Sequence, residues 1–260
     1  MTGLSDGRMV TYLNEKTLVL VDVNTGKEIL RLKNHQNITH LTRISGDVIA
    51  WVVGDSTVKI FDIKLKRLTR VIKVGEKISQ LAPLGEDRLI VVGDEGIIIY
   101  GESEEIQRIS MPGVTKVISL EDGTRLGIVR NQKFVEWNLE TNLEVDSLRN
   151  KMRPVGDIVQ LRNGTLAVGI LSFISLHSEP NFNEIISLGK NVKSIVEISG
   201  DKIGVILEED EGIHIWNLSP ESFLFSPIKV IEQESVFLSL AFFGDYLAAV
   251  TEGGEIKVWR

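Results

Sequence analysis

Four histidines, His35, His40, His177 and His214, could act as metal ligands or general bases if their spacing brought them together. It does not, since no two stand at a His-x-His or HExxH interval. Ser56-Thr-Val-Lys59 spells S-x-x-K, a spacing that unites serine and lysine on one helical turn. Here it enters an alternating strand pattern, where residues three apart point to opposite faces. The run Glu208-Glu-Asp-Glu211 concentrates carboxylates but lacks the alternating ligand spacing and glycine hinge of a calcium loop. It reads as a solvated turn. No G-x-S-x-G, Walker-type or dinucleotide glycine pattern occurs. The expectation is no catalytic residue, no metal site and no cofactor.

The composition narrows the class of protein. A chain of 260 residues with 43% hydrophobic and 25% charged residues is globular and long enough for one large all-β domain or two small ones. Its 36 acidic residues outnumber its 29 basic ones, a net charge of −7 that argues against nucleic-acid or membrane-surface binding through bulk charge. The absence of cysteine excludes disulfides and thiolate metal sites, and no basic-then-apolar leader opens the chain. The most apolar stretch, Val236 to Val250, is interrupted by Asp245 and is shorter than the roughly 20 residues a membrane span needs. An intracellular, cytoplasmic protein without membrane insertion is expected.

The elements that position these side chains emerge from an internal repeat. SGDVIAWVVGDSTVKIFDI, from residue 45, and SGDKIGVILEEDEGIHIWNL, from residue 199, are two copies of one phrase. An apolar pair three residues apart, followed by a turn rich in Gly, Asp and Asn, recurs six times, and a seventh copy has Ser239 in the first slot. The anchors are Leu4, Ile44, Leu84, Leu120, Leu161, Ile198 and Phe242, spaced 36 to 44 residues apart. A second landmark keeps the same period: TLVLVDV, TVKIFDI, GIIIYGE, KFVEWNL, SFISLHS, GIHIWNL and EIKVWR place Val21, Phe61, Tyr100, Trp137, Leu176, Trp216 and Trp259 at one equivalent position.

A complete repeat reads as four strands: one before the Gly/Asp turn, one after it, one ending at that position, and an outer one such as Glu28 to Leu32 or Arg67 to Val71, of which six are visible. DG, GD and NG dipeptides accept the positive φ of tight hairpins. Four strands in about 40 residues make a propeller blade. The expected fold is an all-β, seven-bladed β-propeller of four-stranded antiparallel blades with incomplete terminal blades. The blades fall at about 1–35, 36–74, 75–112, 113–150, 151–190, 191–233 and 234–260, and the first strands, beginning near Ile38, Ile78, Val114, Val155, Val192 and Val236, line the channel.

On Ile60-Phe-Asp62, Val135-Glu-Trp-Asn138, Ile215-Trp-Asn217 and Ile256-Lys-Val-Trp259, the chain resembles a WD-repeat β-propeller over its whole length. It departs from that family in two ways. The Gly-His before the first strand is represented only by Asn34-His35, and the second-strand hydroxyl is replaced by Trp51, Ile90, Gly127, Leu166, Ile206 and Ala249, with Thr11 alone retaining it. The family's buried His-Ser-Asp-Trp network cannot form, so apolar packing between sheets is expected to hold the blades.

The resemblance implies a non-catalytic scaffold for protein or peptide partners, docking on the face where the turns between second and third strands and the blade connections emerge. The alternative is a substrate-recognition domain of a larger adaptor, such as one serving ubiquitin ligases. A propeller enzyme is the third reading, but Asp157 and Glu197 are the first strands' carboxylates and stand in different repeats. The turns carry Asp55, Asp94, Glu95, Asp210 and their neighbours, whereas the connections carry cations. Expected partner-binding residues are His35, Trp51, Lys77, Lys151, Arg153, Lys190, Lys193 and Asp210, facing a partner with an acidic segment and not nucleic acid. Trp51 would be an anchor if exposed and a core residue otherwise. Lys64, Lys66, Arg67, Arg70 and Lys73 bracket an outer strand, where cations protect a sheet edge. Blade seven is expected to have three strands and a free edge at Glu255 to Trp259, its fourth strand coming from flanking residues of a longer protein.

Overall fold

A computed structural model describes the chain except residues 5, 121–122, 146–154, 178–183, 200–201, 209, 211, 219–226, 233–236, 244, 252–254 and 260. Blade one comprises β1 (Thr2–Gly3), β2 (Arg8–Asn14), β3 (Thr17–Asp22) and β4 (Glu28–Lys33). Blade two comprises β5 (Ile38–Ser45), β6 (Val48–Val53), β7 (Thr57–Asp62) and β8 (Arg67–Lys73). Blade three has β9 (Ile78–Leu84), β10 (Arg88–Gly93), β11 (Gly96–Tyr100) and β12 (Glu105–Ser110). Blade four has β13 (Val114–Leu120), β14 (Arg125–Arg130), β15 (Lys133–Asn138) and β16 (Leu143–Glu144). β17 (Val155–Gln160), β18 (Leu166–Ile170), β19 (Phe173–His177) and β20 (Glu184–Ser187) form blade five. β21 (Val192–Ser199), β22 (Lys202–Leu207), β23 (Gly212–Asn217) and β24 (Lys229–Glu232) form blade six. Blade seven is β25 (Phe237–Phe243), β26 (Tyr246–Thr251) and β27 (Ile256–Trp259).

Every sheet follows chain order, with antiparallel neighbours. The fold is the all-β, seven-bladed β-propeller that the repeat predicts. Six sheets have four strands, and among the described residues the seventh has three, ending at β27. The chain divides into two compact units, Met1–Leu126 with Leu139–Asn142, and Gly127–Asn138 with Leu143–Arg260. Within the first unit the first strands β1, β5, β9 and β13 neighbour one another in order, and within the second β17, β21 and β25 do the same. These strands form the hub of each unit; β5, β9, β13, β17 and β21 begin where the repeat places them, and Val236, the expected start in blade seven, lies outside the described residues.

The second strands, such as VIAWVV and RLIVVG, are apolar without alternation because both faces are covered. On one face of blade two, Ile49, Trp51 and Phe61 pack against Leu18 and Leu20 of blade one. On the other, Ala50, Val52, Val58 and Ile60 meet Leu89, Val91, Ile98 and Tyr100 of blade three. In the second unit, Ala167, Ile174 and Leu176 of blade five meet Ile203, Val205 and Trp216 of blade six. The core therefore lies between adjacent sheets, each buried Leu or Ile contributing about 1.5–3 kcal/mol.

The register corrects part of the repeat alignment. The residues at the place of Thr11 and Trp51, two beyond those paired with Val21 and Phe61, are Val91, Gly169 and Val205 rather than Ile90, Leu166 and Ile206. The physical reason is turn length: Asp94-Glu95 closes the blade-three hairpin, whereas Gly54-Asp-Ser56 closes that of blade two. None of the corrected residues carries a hydroxyl. Consistently, the buried indole N–H groups of Trp137 and Trp216 have no acceptor among the described residues.

Candidate functional site: the loop face of the blades

The turns between second and third strands and the connections between blades interlock at one end of the strands. In the first unit the Ile38 N–H donates to Glu15 O and the Ile78 N–H to Asp55 O, tying each first strand to the turn of the preceding blade. The Gly54 N–H donates back to Asn37 O at 2.8 Å, and the Val74 N–H to Ser56 O at 2.9 Å. Side chains reinforce the joint. Asn37 Nδ2 donates to Glu15 Oε2 at 2.9 Å, and the Glu95 N–H donates to Glu76 Oε2 at 2.8 Å. The same pattern recurs in the second unit, where the Val192 N–H donates to Leu171 O and the Glu208 N–H to Asn191 O, both at 2.8 Å.

His35 and Lys77 are exposed on the connections of the first unit, with no charged partner among the described residues. Trp51 is not on this face. It is 3% exposed, its ring 6.2 Å from that of Phe61, because the middle of a second strand is covered on both sides. The core role prevails and the anchor role is lost. Ser56 and Lys59 do not meet as a catalytic pair; Lys59 Nζ donates to Asn34 Oδ1 at 3.0 Å.

In the second unit, Lys190 and Asp210 come together. Lys190 Nζ donates to Asp210 Oδ2 at 3.2 Å, the Gly212 N–H donates to Oδ1 at 2.9 Å, and His214 Nε2 lies 3.4 Å from Oδ1. Burial raises the Asp210 carboxyl, but the Gly212 N–H, Lys190 and His214 together hold it below its ordinary value. Lys193 turns toward the next blade and donates to Phe237 O at 3.1 Å. Lys151 and Arg153 lie outside the described residues, as do Glu209 and Glu211. Among the described residues no cluster of His, Asp and Glu has the arrangement of a metal site.

Sequence reasoning missed how the hub uses its polar residues. The first strands β5, β17 and β21 bulge near their third residue, which leaves the next N–H outside the ladder. A side chain supplies the acceptor. The Leu41 N–H donates to Tyr12 Oη at 2.8 Å, and burial pushes the Tyr12 phenol up to about 12 against the opposing effect of that bond. Gln80 grips Val117 from both sides, accepting its N–H at 2.8 Å and donating to its carbonyl at 2.9 Å. Asp157 accepts from the N–H groups of Ile158 and Ile195. A polar third residue in the first strand is the trace this leaves in sequence at Gln80 and Asp157.

No protein-family model and no curated protein matches the chain. Among solved structures, the β-propeller domain of Cps50 (Swd1) from Myceliophteria thermophila superposes with a TM-score of 0.78 at 15% identity, over 98% of this chain and 93% of that one. The chain has the β-propeller fold. A chain in the crystal structure of a Mitotic Checkpoint Complex superposes equally well, at TM-score 0.78 and 15% identity, over 100% of this chain and 85% of its own length. In this propeller Tyr12, Gln80 and Asp157 each hold a first strand of the next blade.

Proposed function

We infer that the chain is a non-catalytic, intracellular protein-interaction module of the WD-repeat type, which offers its loop face to protein or peptide partners. The observation that carries this reading is the interlocked loop face, a surface fixed by backbone hydrogen bonds that leaves His35 and Lys77 free to contact a partner. A pre-organised surface loses little conformational entropy on association. The solved chain within a Mitotic Checkpoint Complex, from a structure of an assembly, lends support by analogy of fold.

A partner with an acidic segment suits the cations of the connections, Lys77 in the first unit and Lys151, Arg153, Lys190 and Lys193 in the second. Lys190 already holds Asp210, so an incoming carboxylate there competes with Asp210. Affinity capture from cell extract with the chain as bait, followed by the His35→Glu/Lys77→Glu variant, tests this. The variant is expected to lose most of the captured partner while its melting temperature stays nearly constant, since exposed charges away from packing shift stability by less than about 0.5 kcal/mol. Undiminished capture would remove the connections from the interface.

A further inference from the structure

The outer strands of blades one, two and three align residue by residue, because each pairs with the same positions of its third strand. Val21, Phe61 and Tyr100 pair with Glu28, Leu68 and Glu105, and two residues earlier Val19, Lys59 and Ile98 pair with Arg31, Val71 and Arg108. In blades one and three these positions hold ion pairs, Glu28 with Arg31 at 2.5 Å and Glu105 with Arg108 at 3.0 Å. In blade two they hold Leu68 and Val71, which are 46% and 48% exposed. A register shift beside Phe61 brings both to one face of β8 although they are three residues apart, and Lys73, opposite Thr57, shares that face.

Cations flank this apolar pair, and no carboxylate of the strand lies among them. Lys66, Arg67 and Lys73 are exposed and have no ion-pair partner among the described residues. Arg70 is committed elsewhere: its guanidinium donates to Gly101 O at 2.7 Å and lies 5.5 Å from the centre of the Tyr100 ring. β8 ends its sheet, so its outward backbone N–H and C=O groups have no strand partner. Lysines alone would protect such an edge, but two exposed aliphatic side chains at its centre do the opposite.

We propose that the outer edge of blade two is a docking site for an acidic, extended segment of a partner protein. The segment adds to β8 as a further strand, with aliphatic side chains against Leu68 and Val71 and carboxylates beside Lys66, Arg67 and Lys73. Charge selects this occupant, since three uncompensated cations in a chain of net charge −7 attract carboxylates and repel a basic strand. An anionic bilayer would satisfy the charges but leave the edge backbone groups unpaired in an apolar medium, whereas a strand pairs with them. This site is separate from the loop face and stands or falls without it.

The test uses a fluorescein-labelled peptide of alternating glutamate and valine, titrated with the 260-residue chain. A lysine–valine peptide and vesicles containing phosphatidylserine serve as comparisons. Leu68→Glu with Val71→Arg installs the ion pair that blades one and three already carry, and so preserves the blade. Arg67→Glu with Lys73→Glu inverts the charge. Saturable binding of the acidic peptide is expected, weakened about tenfold by either double variant and by added salt, with unchanged thermal melting. Absence of saturable binding, equal binding by the variants, or equal binding of the lysine–valine peptide would each overturn the proposal. Vesicle binding without peptide binding would overturn it in favour of a membrane surface.

Discussion

Asp157→Ala is expected to lower the unfolding free energy by about 3–5 kcal/mol. Asp157 is 4% exposed, and its two oxygens accept from Ile158 at 2.9 Å and from Ile195 on the neighbouring first strand at 2.8 Å. Alanine leaves both buried N–H groups without that acceptor. Asp157→Asn keeps the shape but turns one acceptor into a donor, so it should cost less than alanine and more than nothing. Urea unfolding of the three proteins, compared at constant m-value, measures the difference. A loss below about 1 kcal/mol for alanine would mean that the bridge between blades five and six does not stabilise the native state.

Gly96→Ala is expected to cost at least about 4 kcal/mol, for steric rather than polar reasons. Gly96 has φ +142°, and a Cβ there would overlap the Ile109 carbonyl oxygen and lie 2.5 Å from the Met111 nitrogen. Both are backbone atoms of the outer part of blade three, so neither can yield without breaking the ladder between β11 and β12. Gly26→Ala provides the comparison. Its φ is +66° with nothing within 4 Å of the added atom, so only the left-handed backbone cost of about 1–2 kcal/mol applies. Thermal unfolding that ranks the two variants equally would contradict the close approach at Gly96.

Much of the architecture was legible because two landmarks keep one period. Leu4, Ile44, Leu84, Leu120 and Leu161 are all buried anchors, and the first strands start at Ile38, Ile78, Val114, Val155 and Val192. What was misread depended on loop length: counting back across hairpins of unequal length displaced Ile90, Leu166 and Ile206 from their true equivalents. The candidate site was legible only in outline. Exposed His35 and Lys77 follow from loop position, but the burial of Trp51 depends on a neighbouring sheet that its own repeat does not contain. The roles of Tyr12, Gln80 and Asp157 were hidden for the same reason, since each bonds a backbone group of the next blade's first strand. The apolar substitution of an ion pair at Leu68 and Val71 became visible only through strand register, because counting from the outer-strand starts aligns Arg67 with Glu28.

Partners are expected to dock on the interlocked loop face. Amide hydrogen exchange of the chain, alone and bound to its captured partner, tests it most directly. Slowed exchange is predicted in segments 34–37, 54–56, 74–77 and 94–96 of the first unit, or in 188–193 of the second, where the turns and connections meet. Slowed exchange confined to 46–47, 85–87 and 162–165, the turns at the opposite ends of the same blades, would contradict it.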